Sequence, residues 1–177
     1  MVQWCQSTTN DDLTLSATEF GAHELAQKFG TGIVFENEYI SQTTFYLKHK
    51  GTPATGTINA HIRESDGSLK NTSSTNYSAS GLTGTSQPIS FLFTGAGTQF
   101  DLTNMITISS TDLSEEVAVF SVSPTVTANT NLMHTSSPGS GYSEYTNNQT
   151  KQCVTYSDVP STTATRFPPP PIVLGGL

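Results

Sequence analysis

The feature that most constrains this chain is the alternation running from Ile40 to Ser123, where short strand-like segments are punctuated by turn residues and carry little charge. In Thr43–Lys48, Phe45 and Leu47 fall on one side and Tyr46 and Lys48 on the other. In Thr57–Arg63, Ile58, Ala60 and Ile62 point one way and Asn59, His61 and Arg63 the other. Successive side chains of an extended chain project to opposite faces, so a period of two predicts strands with one face buried and one toward solvent. Pro88–Thr94 repeats the pattern with Ile89, Phe91 and Phe93, and Thr103–Ser109 and Val117–Val122 supply two more strands. Gly51-Thr52-Pro53-Ala54-Thr55-Gly56 and Asp66-Gly67 read as turns, because glycine tolerates positive φ and proline pre-sets its own. Short strands at this spacing, with no strand–helix alternation, predict an all-β fold: an antiparallel β-sandwich of jelly-roll type.

The flanks are organised around that body. Residues 1–12 read as an N-terminal arm, 13–160 as the sandwich and 161–177 as a Pro-rich tail. Ala22–Phe29 is the one helix-like stretch, but it has no convincing cap and is bracketed by Gly21 and Gly30, so Glu24–Phe29 is assigned to a strand. Leu13–Ala17 alternates weakly, Asn37-Glu38 turns the chain, a weak strand is expected near Tyr77, and Gln152–Ser157 reads as a closing strand. In the tail, Pro168–Pro171 predicts a stiff polyproline-II spacer that presents a small apolar hook. Phe167, Ile172, Val173 and Leu174 are the candidate subunit contacts.

Composition narrows the setting. Only 12% of residues are charged, against about 25% in ordinary domains, and Ser and Thr fill the deficit. A hydroxyl-coated face with few charges is common in secreted, virion and cell-surface β-proteins. The net charge is −7 with only 7 Lys and Arg, and these are not clustered. Nucleic acid is therefore set aside as a partner, since phosphate binding needs concentrated basic groups, and so is an anionic membrane surface. No apolar run approaches the roughly 20 residues that span a bilayer, so no membrane insertion is expected. Met1–Gln6 lacks the basic flank and apolar core of a secretory signal. Either a signal was removed before this numbering or the protein is made and assembled without secretion; the Met at position 1 favours the second.

Candidate sites are few. Cys5 and Cys153 allow one pairing, and a bond between them would close a long loop worth on the order of 4–5 kcal/mol in the chain-entropy model. Two buried free thiols are the alternative. No catalytic residue is assigned: no nucleophile-elbow G-x-S-x-G is present, Gly139-Ser140-Gly141 is too short to be one, and His23, His49, His61 and His134 are scattered. No cofactor or metal is expected either. Asp11-Asp12 and Glu115-Glu116 lack a calcium-loop pattern and read as solvated carboxylates. Tyr142 and Tyr145 are the candidate glycan platform, with packing beneath their own loop as the competing reading. Asn71-Thr72-Ser73, Asn76-Tyr77-Ser78 and Asn148-Gln149-Thr150 match the N-glycosylation pattern.

The run Phe45-Tyr46-Leu47-Lys48, the Gly51–Gly56 turn, Thr57-Ile58-Asn59-Ala60-His61-Ile62 and Asp66-Gly67 together resemble a jelly-roll module found in extracellular, adhesin-like and virus-associated proteins. Ala26–Phe29, Ile89–Phe93, Phe100-Asp101-Leu102 and Met105–Ile108 fit the same layout. The resemblance covers roughly the middle two-thirds of the chain. It implies a sandwich shaped like a carbohydrate-binding module and transfers no catalytic residues. The Pro-rich hook departs from that pattern. The expectation is a non-catalytic structural protein of a surface assembly, a virion capsid or decoration protein, partnered by copies of itself or other subunits of the particle. The alternatives are a carbohydrate-binding or adhesive module meeting surface glycans, and a cell-surface filament subunit.

Overall fold

The structure, a computed structural model, describes residues 1–5, 11–15, 24–50, 55–111, 116–122, 131–135, 139, 141–145, 149–150 and 152–162. Within these the chain forms fourteen strands: β1 Val2–Cys5, β2 Asp11–Leu15, β3 Glu24–Lys28, β4 Tyr39–Lys50, β5 Thr57–Glu64, β6 Leu69–Thr72, β7 Tyr77–Ser78, β8 Gln87–Leu92, β9 Asn104–Ser110, β10 Glu116–Val122, β11 Asn131–Thr135, β12 Ser143–Tyr145, β13 Gln149–Thr150 and β14 Gln152–Ser157. They build two seven-stranded sheets. The first runs β1-β14-β4-β10-β13, with β2 added on β10 and β8 on β4; the second runs β12-β11-β3-β9-β5-β6, with β7 added on β5. The pairings within each sheet are antiparallel. The molecule is an all-β antiparallel sandwich.

The period of two fixes which residues meet between the sheets. Phe45 and Leu47 of β4 and Ile89 and Phe91 of β8 face Ile58, Ala60 and Ile62 of β5, Ile106 and Ile108 of β9 and Leu25 of β3 in one buried core. Glu24–Lys28 is a strand despite its helix-like composition, because pairing with β9 on one side and β11 on the other satisfies its backbone and tertiary context overrides weak propensity. At one end of the core the rings of Trp4, Phe29, Phe35 and Phe100 pack edge-on at centroid distances of 5.0–5.6 Å. Tyr156 of β14 joins them, 5.8 Å from Phe35. Asn37 enables the turn beneath these rings: its φ of 66° is one that asparagine adopts more readily than most residues, and its N–H donates to the Phe100 carbonyl at 2.6 Å.

The two turn motifs serve different ends. Asp66-Gly67 closes a hairpin between β5 and β6. There the Asp66 carboxylate accepts from the Ser68 N–H at 2.8 Å, and Gly67 sits at φ 93°, where a side chain would be strained. The Gly51–Gly56 segment instead leads from β4 in the first sheet to β5 in the second, through residues 51–54, which lie outside the described set. Alternation states which side chains point inward, but it does not state which sheet a strand joins.

The outer face of the first sheet also departs from expectation. Alternation sets Tyr46 opposite Phe45 and Leu47, yet Tyr46 is buried, and so are Gln42 and Thr44 on the same face. Polar groups withstand burial when they satisfy one another. The Gln42 amide donates to Thr44 Oγ1 at 3.2 Å, and that oxygen shares a 2.9 Å hydrogen bond with Ser90 Oγ. Burial also raises the pKa of the Tyr46 hydroxyl above its usual value.

Phe35 is fully buried and contacts four other rings, so Phe35→Ala is expected to cost about 3–5 kcal/mol. Urea unfolding should show a lower midpoint with an unchanged slope; a loss below about 1 kcal/mol would mean that the ring cluster does not anchor the sandwich.

Candidate functional site

Two places in the described fold gather residues that the sequence singled out. The first is the edge of the first sheet. There β1 pairs with β14 in the register Val2↔Tyr156, Gln3↔Thr155, Trp4↔Val154 and Cys5↔Cys153. Trp4 turns inward to its ring partners, so Val2 shares the inner face and Gln3 and Cys5 the outer one. Cys5 and Cys153, directly opposite each other, are joined by a disulfide across a Cα–Cα distance of 4.1 Å. The stretch read from sequence as an arm thus contributes a strand that is covalently fastened to the body. Val2 and Gln3 stay exposed, and among the described residues β14 is the only strand that β1 pairs with.

The second place is the outer face of the second sheet. Arg63, which alternation assigns to solvent, does occupy the outer face, but it is only 9% exposed. Its Nε and Nη2 donate to Glu24 Oε1 and Oε2 at 2.8 and 3.2 Å, and its Nη1 donates to the Gly67 carbonyl at 3.1 Å. Glu24 itself is fully buried. Tyr142 completes the arrangement: its hydroxyl donates to Glu24 Oε1 at 3.0 Å and accepts from the Gly139 N–H at 3.4 Å. A side chain at Gly139 would meet Arg63 Nη1 at 3.3 Å and the Gly67 carbonyl at 3.4 Å, so glycine permits the close approach of this loop. Burial, and then the neighbouring Glu24 carboxylate, push the Tyr142 hydroxyl well above its ordinary pKa.

His61 lies on the same face, half-buried, with Nδ1 3.2 Å from Thr72 Oγ1 and Nε2 3.3 Å from Ser109 Oγ. Burial lowers its pKa below the ordinary histidine value; the Glu24 carboxylate opposes this effect and the Arg63 guanidinium adds to it.

Chemically the cluster is closed. The carboxylate accepts from two guanidinium nitrogens and a phenol, so its strongest lone pairs are already committed. It fastens Gly139 and Tyr142 to the sheet, and it does not present a base or a ligand cage. Among the described residues no group of three or more His, Cys, Asp or Glu could hold a metal ion, and no helix is long and apolar enough to cross a membrane.

Of the candidate glycan platform, Tyr142 is half-buried with its hydroxyl turned toward Glu24, while the side chain of Tyr145 lies outside the described set; its backbone pairs with Leu132. Phe167, Ile172, Val173 and Leu174 also lie outside the described residues. Asp11 and Asp12 sit on β2 and Glu116 on β10, with Glu115 outside the described set. Asn71 spends its amide on the Thr94 carbonyl at 3.2 Å, Asn76 is exposed, and Asn148 is outside the described set. Sequence reasoning did not connect Glu24 with Arg63. They lie 39 positions apart on non-adjacent strands, and the only signal was a charged residue in the outward register of each strand.

Two predictions follow from this corner. Glu24→Leu strands a buried guanidinium and is expected to cost about 3–5 kcal/mol, whereas Glu24→Leu combined with Arg63→Met should recover most of that loss. A double-mutant cycle read by urea unfolding checks it, and equal losses in the single and double variants would contradict it. For His61, a folded pKa below the unfolded one means that the unfolded chain takes up the proton first on acidification. Its contribution is complete above an unfolded value of about 6.5 and declines as pH falls through that value, levelling once the folded ring is protonated too. Melting temperatures of wild type and His61→Asn, measured between about pH 8 and 4.5, should show a steeper acid loss in wild type; parallel curves would contradict it.

Compared with known proteins, the chain matches no family model, no curated protein and no solved structure.

Proposed function

We propose that this chain is a non-catalytic structural subunit of a surface assembly, a virion capsid or decoration protein, acting at a virion or extracellular surface beside other copies or other subunits of the same particle. The observation that carries the reading is the treatment of the N-terminal segment. A four-residue strand whose Val2 and Gln3 are exposed is held at the sheet edge by a disulfide to β14. Disulfides persist in oxidising surroundings, which fits a protein that works outside a cell or on the outside of a particle.

Three further features agree with this reading. Two outer-face groups of polar side chains, Gln42–Thr44–Ser90 and Glu24–Arg63–Tyr142, bond to one another, which favours a rigid body. Low charge lets like copies pack closely with little repulsion. The Pro-rich tail carries the apolar residues Ile172, Val173 and Leu174 directly after its four prolines, suited to reach a neighbour across a stiff spacer.

Light scattering on the full chain and on a chain ending at Thr165 tests the proposal. A defined oligomer that falls to monomer on truncation is the expected result. Monomers from both chains at every concentration would overturn it.

A further inference from the structure

We infer that the free edge of β1 is a self-pairing surface, on which β1 of a second copy adds antiparallel about a two-fold axis through Gln3, extending the first sheet through both molecules. This rests on the assembly reading above and names one of its contacts.

The direction of the backbone groups is the starting point. In an antiparallel ladder, narrow pairs near 4.5 Å between Cα atoms are those that do not exchange hydrogen bonds, and wide pairs near 5.5 Å are those that do. Cys5 and Cys153 are 4.1 Å apart, so theirs is a narrow pair. The N–H and C=O of Cys5 therefore point away from β14, and by alternation those of Gln3 do the same. Among the described residues, Gln3 thus presents to the open edge a donor and an acceptor that no strand pairs, while Val2 and Trp4 bond inward to β14.

Open edges are sites of strand addition unless they carry charge, proline or a bulge, or are very short. Among the described residues, the two ends of the second sheet are guarded in those ways. The β6 edge carries Lys70, held near Glu64 and Asp101, and its pairing with β5 contains a register shift. The β12 edge is three residues long and carries Glu144. By contrast β1, Val-Gln-Trp-Cys, has no charge, proline or glycine. In a chain of net charge −7, this is a strip where two copies meet without opposing like charges.

The register follows from the faces. Directly opposed residues of an antiparallel pair share a face, so inner residues must oppose inner ones. Centring the axis on Gln3 opposes Gln3 to the partner's Gln3, a wide pair that exchanges two N–H to C=O bonds. It also sets Val2, 56% exposed, beside the partner's Trp4, with both on the inner face. Centring on Trp4 satisfies the same parity but leaves Val2 uncovered by β1. A ribbon this short buries less than the roughly 1,200 Å² of a standard interface, so pairing depends on concentration in solution and gains from other contacts in an assembly.

Gln3→Pro tests the inference. It deletes an N–H that points to the open edge and that β14 does not use, and proline is tolerated at such edge positions. Losing both symmetry-related bonds should weaken dimerisation roughly thirtyfold or more. The wild type should dimerise with rising concentration in sedimentation experiments, with the Gln3 amide protected from hydrogen exchange. Gln3→Pro should stay folded and monomeric over the same range. Should that variant fail to fold, Gln3→Lys, which sets like charges opposite each other at the axis, should likewise lower dimer affinity. Unchanged association in whichever folded variant is measured, or an unprotected Gln3 amide in wild-type dimer, would overturn the inference. If the chain ending at Thr165 is monomeric while Gln3→Pro still associates, the edge contact fails and the assembly reading stands. If full-length wild type never associates, both fail.

Discussion

Edge-on packing of aromatic rings at one end of the sandwich is the constraint on which the rest of the structure depends. Trp4 comes from the first strand, Phe29 follows β3 in the opposite sheet, Phe35 and Phe100 come from connecting segments, and Tyr156 lies on β14. No short-range interaction could bring these five together. Each ring buries a large apolar surface, and the edge-to-face geometry adds to what area alone supplies. Because Trp4 is one of them, the position of β1 is set by the core itself as well as by the disulfide. The sheet edge and its backbone directions are thereby fixed to the same frame as the body.

The Glu24–Arg63–Tyr142 corner answers a different problem. A seven-stranded sheet leaves an outer face that must be polar, and a loop laid over it brings polar groups out of water. Placing a fully buried carboxylate there is unfavourable unless every strong acceptor position is used. Here a two-toothed guanidinium and a phenol use them, and the guanidinium's remaining arm reaches the hairpin carbonyl of Gly67. One network thus ties β3, β5, the β5–β6 hairpin and the segment around Gly139 and Tyr142. Such networks define where a loop sits more than they raise stability.

Much of this fold was legible because side-chain alternation is a direct image of strand geometry. Ile58, Ala60 and Ile62 on one face and Phe45 and Leu47 on another lead to buried residues without reference to anything distant. The helix-like Glu24–Lys28 was readable as a strand from its glycine brackets and absent cap. Sheet membership was less legible: the Gly51–Gly56 turn and the Asp66-Gly67 turn look alike in sequence, yet one crosses between sheets and the other closes a hairpin. The outer faces were the least legible part. Gln42, Thr44 and Arg63 are polar residues at outward positions, and whether such a residue meets water or a partner depends on contacts far away along the chain. Cys5 and Cys153 could be named as a pair, but only the β1–β14 register puts them opposite each other.

The cross-link between Cys5 and Cys153 spans 148 positions, and its consequence is mechanical. Tension applied between the first residues and the segment beyond β14 runs from β1 through the two sulfurs and out along the C-terminal chain. Within the sandwich it loads only β1 and β14, and it bypasses the covalent stretch between the two cysteines. The chain between the two cysteines hangs as a side loop on a short covalent tether, so a pull on the two ends does not draw that loop out.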